Sequence, residues 1–174
     1  ELYSPELKQQ MRQLAQGCGK LLCQTSGFKA LWQQLVPDLA SDKIAIYTPV
    51  IPDLPANVSR IDQRLATAIY AGKFKGDWMT LEMAQCWSNI HRQVVGSELV
   101  MVGDKIHKEP NPANYHELMQ QALENTPGLT WLGAQSREEV QNLLRQARVG
   151  LSWRAESMND TVEYSTKILE YGGA

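Results

Sequence analysis

"ATAIYAGKFKGDW" (Ala66–Trp78) carries the decision about the fold. A mostly apolar run stops at Gly72, and a short polar loop leads directly into a segment of helical period. That segment places Met79, Met83, Cys86, Trp87 and Ile90 on one side, with Asp77 positioned to cap its start. A buried strand followed at once by a helix is a βα unit, and downstream the unit recurs. "ELVMVGD" (98–104) reads as the next strand. "NPANYHELMQQALEN" (111–125) reads as its helix, with Pro112 in the first turn and an apolar stripe of Tyr115, Leu118, Met119, Ala122 and Leu123. "LTWLGA" (129–134) precedes "SREEVQNLLRQA" (136–147), where Ser136 and Glu139 form a capping box before Val140, Leu143, Leu144 and Ala147. "VGLSWR" (149–154) and "STKILEYGG" (165–173) supply a fourth pair.

Upstream, "GKLLCQT" (19–25) reads as a strand. "GFKALWQQL" (27–35) is a helix with Phe28, Leu31, Trp32 and Leu35 on one face, and "KIAIYTPVIPDLP" (43–55) is a strand running into prolines. Strands that alternate with helices and read as continuous apolar runs predict an α/β fold, a Rossmann-like parallel sheet with helices on both faces. The expected organisation is a helix–strand–helix piece and crossover over 1–47, a linker region over 48–66, and a Rossmann-like domain over 67–174 that is incomplete after its fourth βα unit.

With 174 residues, 43% of them hydrophobic, the chain can bury a core. Seventeen Lys and Arg against 19 Asp and Glu give a net charge of −2, which offers no general attraction for nucleic acid. Three cysteines without framework spacing suggest reduced thiols and a cytoplasmic protein, with Cys23 and Cys86 in core packing. No apolar run is long enough to span a bilayer. The five tryptophans fall mostly within strand or helix patterns and read as core, with Trp153 flanking a strand end. His91, His107 and His116 lack ligand spacing, so no metal and no cofactor is expected.

In open parallel sheets ligands bind beyond the carboxyl ends of the strands. There Gly72, Lys73, Phe74, Lys75 and Gly76 set two cations before a helix N-terminus, a combination suited to a diphosphate. Solvated lysines on a βα loop are the plainer alternative. Ser165, Thr166 and Lys167 open the last helix with hydroxyls and a charge, and Glu170 follows one turn on, where a carboxylate can accept both hydroxyls of a ribose. The alternative there is a capped helix with an exposed Lys–Glu pair.

Taken in order, "YAGKFKGDW", "VMVGD", "LTWLGAQSREEVQNLLRQARVGLS" and "EYSTKILEYGGA" resemble the C-terminal, donor-binding half of a GT-B glycosyltransferase of the large retaining group that uses nucleotide sugars (family 4 type). "KLLCQTSGFKALWQQL" and "KIAIYTPVIPD" resemble the passage out of the N-terminal domain. The resemblance implies a metal-independent transfer from a nucleotide-diphosphate sugar. It assigns the diphosphate to Lys73 and Lys75, the donor ribose to Glu170, and the base to the backbone of Gly133 and Ala134. Ser165, Thr166 and Lys167 would flank the diphosphate. Glu163 resembles the first glutamate of the family's pair, with six residues before Glu170 where the family has seven; Arg154 and Glu156 are alternatives in the same loop.

The resemblance further implies a glycan, lipid or small-molecule acceptor bound by a separate N-terminal domain, a full-length protein that is cytoplasmic or peripheral at the membrane, and an isolated chain that self-associates and does not turn over. A non-catalytic Rossmann-like module that binds a nucleotide or a protein, or an epimerase or phosphorylase of the same architecture, fits the same pattern.

Overall fold

The computed structural model describes residues 3–47, 60–109, 112–155 and 165–174. The proline-rich stretch over 48–59, together with Glu156 and Glu163, lies outside the described residues. The chain divides into two compact units, one holding residues 3–47 and the other residues 60–155 and 165–174 of those described.

The first unit contains α1 (Pro5–Gly17), β1 (Leu21–Cys23), α2 (Ser26–Leu35) and β2 (Ile44–Ile46). Ser4 and Thr25 accept from the backbone N–H groups of Leu7 and Phe28, so each helix starts on a side-chain cap. β1 and β2 pair in parallel, Leu21 beside Ile44 and Cys23 beside Ile46. Trp32, Leu35 and Ile44 close a small core around Cys23.

In the second unit β3 (Leu65–Ala71), α3 (Thr80–Gln93), β4 (Glu98–Val102), α4 (Tyr115–Asn125), β5 (Leu129–Trp131), α5 (Arg137–Gln146), β6 (Ala147–Gly150) and α6 (Thr166–Gly172) follow in turn. The strands are all parallel, in the order β5-β4-β3-β6. The expected α/β architecture is the one found, and β3 begins two residues earlier than 67. Alternate residues of β3 and β4 face opposite sides, as the pleat requires. Ala68, Tyr70, Leu99 and Met101 pack with Trp87, Tyr115 and Met119 from α3 and α4. Ile69, Ala71 and Val102 pack with Leu144, Ala147 and Ala174, the α5–α6 side.

Three local expectations fail. Asp77 does not cap α3. It sits in a 3₁₀ turn (Gly76–Trp78), and α3 opens after Met79, whose backbone is left-handed at φ 48. Cys86 and Ile90 do not reach the core. Thr80, Leu81, Met83, Ala84 and Trp87 form the buried face of α3, about a quarter turn away, and this leaves Cys86 exposed. Pro112 lies before α4 rather than in its first turn, and its carbonyl accepts from the N–H of Tyr115. Of the tryptophans, Trp32 and Trp87 are buried while Trp153 is half exposed.

Candidate functional site

The chain runs from β3 outward to β5, then returns to the other side of β3 as β6. The sheet order therefore reverses between β3 and β6, and the crevice at such a reversal is where open α/β sheets bind ligands. The rim beyond the strand ends is built from glycine. Gly72 N–H donates to Val102 O at 2.8 Å and Gly103 N–H donates to Gly133 O at 2.8 Å, extending the ladder past the strands. Gly103 has φ +140, and a Cβ there would strike the Gly72 carbonyl oxygen, so only glycine fits.

α6 is fixed to this rim by Tyr171. Its hydroxyl accepts from Ala71 N–H at 3.2 Å and donates to Leu151 O at 3.2 Å. A Cβ at Gly150 would come within 2.5 Å of the Tyr171 ring, so the helix lies tight against β6. Burial pushes the Tyr171 phenol up to about 12, opposed by the hydrogen bond from Ala71 and helped by the neighbouring charge of Glu170. Glu170, next in sequence to Tyr171, is thereby held over a hollow of about 240 Å³. Ala71, Val140 and Leu144 form its apolar wall, and Gly72, Arg137, Gln141 and Glu170 its polar edge. Arg137 and Gln141 were not marked by the sequence. They belong to the first turns of α5, and the packing of α5 beside α6 brings them to Glu170.

Lys167 lies against Gly72. A Cβ on Gly72 would lie 2.7 Å from its Cε and 3.0 Å from its Nζ. The ammonium sits 4.2 Å from the centre of the Trp78 ring and 5.1 Å from that of Tyr70. Burial holds its pKa below that of an ordinary lysine; Arg154 and Lys73 push the same way and Glu170 opposes them.

Lys75 is placed differently. Its Nζ meets Asp77 Oδ2 at 2.5 Å, and this bond raises its pKa. Its backbone is held by Thr80, whose Oγ1 accepts from Lys75 N–H at 3.0 Å and lies 2.6 Å from the buried Tyr115 hydroxyl. The Lys73 carbonyl accepts from Tyr70 Oη at 2.5 Å, and Lys73 itself is exposed. Arg154 is half-buried in the loop after β6, where Ala155 N–H donates to Asp77 O at 2.9 Å.

Ser165 is buried, its Oγ 3.4 Å from that of Ser152, while Thr166 is exposed. Gly133 and Ala134 lie past β5 and do not line the hollow among the described residues. The fold thus gathers Gly72, Lys167 and Glu170, with Arg154 and Lys73 near the same ammonium. Lys75 is turned into its own loop. No three His, Cys, Asp or Glu side chains cluster among the described residues. No helix among them is long and apolar enough to cross a membrane.

No family model and no curated protein matches the sequence. Solved structures do match. A UDP-forming α,α-trehalose-phosphate synthase from Burkholderia xenovorans superposes with a TM-score of 0.63 at 12% identity, over 97% of this chain and 48% of that one. Anabaena HepE in complex with UDP-glucose gives 0.59 at 12% identity, over 98% and 48%. TarM from S. aureus, with UDP among its ligands, gives 0.59 at 8% identity, over 87% and 29%. The fold is that of a GT-B glycosyltransferase domain. The chain spans about half the length, or less, of the solved structures it matches.

Proposed function

We propose that this GT-B chain is the donor-nucleotide half of a retaining glycosyltransferase, binding a nucleoside-diphosphate sugar for transfer to an acceptor held by another part of a longer protein. The observation that carries it is that Gly72 and Glu170 line one hollow at the point where the sheet order reverses, with the Lys167 ammonium set against the same Gly72. At about 240 Å³ the hollow is smaller than the roughly 300–1,000 Å³ that whole drug-sized ligands occupy. It suits the nucleoside, with the diphosphate lying along the open rim.

Each group then has a task. Glu170 accepts the ribose hydroxyls, and the base extends toward Arg137 and Gln141 or past them to Gly133 and Ala134. Lys167, with Lys73 and Arg154 around it, faces the diphosphate, alongside Ser165 and Thr166. As the glycosyl–oxygen bond breaks, negative charge grows on the leaving diphosphate. Fixed cations lower that barrier without needing a metal, and one well-placed donor of this kind is worth roughly 3–4 kcal/mol. Glu163 would face the sugar.

UDP, GDP and ADP titrated into the protein test this reading by thermal shift and calorimetry. One of the three should raise the melting temperature, because it binds the folded state alone. Glu170→Ala should abolish most of that rise. Flat melting curves with all three, or an affinity indifferent to Glu170→Ala, would sink the reading.

A further inference from the structure

Lys75 and Lys167 are both lysines at the same rim, but their partners differ in kind. Asp77 neutralises Lys75 through a 2.5 Å ion pair. Lys167 has no carboxylate within ion-pair distance among the described residues; its neighbours are the ring faces of Trp78 and Tyr70. A ring face attracts an ammonium through its quadrupole but carries no net charge. It can therefore hold a cation in place and leave that cation's charge available to an anion.

The local backbone is arranged around this contact. Met79 is the one residue other than glycine among those described that adopts a positive φ. That conformation is disfavoured for a side-chain-bearing residue. It lets the Gly76–Trp78 turn end abruptly at α3, with Met79 N–H donating to Gly76 O at 2.8 Å and Trp78 N–H to Lys75 O at 3.1 Å. Ala155 N–H ties the same turn to the loop after β6. Trp78 is therefore fixed at both ends, and it lies 89 positions ahead of the lysine it faces.

We propose that Trp78 is a positioning residue. With Tyr70 it forms an aromatic seat that holds the Lys167 ammonium at Gly72, and this seated cation, rather than Lys75, is the charge that meets the donor diphosphate. The inference rests on the donor-site reading above and adds to it which cation acts and what aims it. A free lysine tail loses much of its rotamer freedom when it binds an anion. The seat imposes that order beforehand, as pre-organised sites do.

Two measurements on the same protein separate this inference from the reading it rests on. The first needs no ligand. In ¹³Cε-labelled lysine spectra, the Lys167 Hε resonances should be shifted upfield by the ring current of Trp78. Trp78→Leu should remove that shift while leaving other lysines in place, which also shows that the variant folds. The second is calorimetry with pyrophosphate and UDP.

Trp78→Leu should weaken both ligands about fivefold or more, whereas Trp78→Phe, which keeps a ring face, should stay within about twofold. Lys167→Met should weaken them more than Lys75→Met. Affinity that survives Trp78→Leu unchanged, or falls more with Lys75→Met than with Lys167→Met, overturns the seat while UDP binding through Glu170 leaves the donor site standing. Wild-type protein that shows the ring-current shift but binds neither pyrophosphate nor any of UDP, GDP and ADP overturns both.

Discussion

The two faces of the second sheet are built to different ends. The face under α3 and α4 is filled by large side chains, Tyr70, Phe74, Trp87, Met101, Tyr115 and Met119, nearly all without exposure. Even its hydroxyls are internally satisfied, Thr80 and Tyr115 meeting at 2.6 Å. The face under α5 and α6 sets smaller groups, Ala71, Val102, Ala147 and Ala174, among Ile69 and Leu144, and opens into the hollow beside Glu170. Small side chains let the two helices approach the strand ends without filling the space above them. One side of the sheet supplies stability and the other supplies room.

If that contrast is sound, truncation should cost more on the closed face. Met119→Ala, fully buried, should lower unfolding free energy by about 3–4 kcal/mol in urea titrations, with the m-value unchanged. Leu144→Ala, at the wall of the hollow, should cost nearer 2 kcal/mol, because it enlarges a space already open to solvent. Equal losses would break the comparison.

Alkaline pH should reach both faces. Burial pushes Tyr115 and Tyr171 up to about 12, and Tyr70 higher still. Their folded values lie above the ordinary 10.0, so the stability they contribute is fully present below pH 10 and is lost as pH climbs through about 12. Lys167 works in the opposite sense. Its folded value is depressed beneath 10.5, in a setting shared with Arg154, Lys73, Glu170 and the Tyr70 and Trp78 rings, so its share rises with pH between the two values. Urea midpoints from pH 9 to 12 should therefore fall overall, with three phenols against one amine. A midpoint that climbs across this range would contradict the buried phenols.

Smaller effects sharpen the functional side. Glu170→Ala, on an exposed residue, should change stability by no more than about 0.5 kcal/mol and weaken nucleotide binding about tenfold or more. Lys73→Ala should be the mildest, about twofold in affinity and diminishing with salt, since its charge is solvated. A Glu170 variant that melts early would place that residue in the scaffold instead.

The alternation of apolar runs with helical periods made the four βα units legible, and Ser136 accepts from Glu139 N–H at 3.1 Å as its capping pattern requires. The start of α3 was not legible. Asp77 has the right chemistry for a cap, but the left-handed turn at Met79 moves the helix start beyond it, and a methionine gives no sign of that conformation. Cys86 and Ile90 were misplaced for the related reason that a helical stripe can be read from sequence only to within about a quarter turn. Gly72 and Glu170 stood out because a strand-ending glycine and an acid one turn into a helix are local signals. Arg137, Gln141 and the Trp78–Lys167 contact depend on how distant segments cross, which no local pattern encodes.

The glycine rim has a consequence for how such a chain can diverge. Its shape is set by main-chain groups of Gly72, Gly103 and Gly133, none of which contributes a side chain that selection could tune. The variable chemistry hangs instead from α5 and α6, through Arg137, Gln141 and Glu170. New ligand preferences can therefore arise by exchange on two helices while the shelf beneath them stays the same, so that a change of taste need not put the folded scaffold at risk.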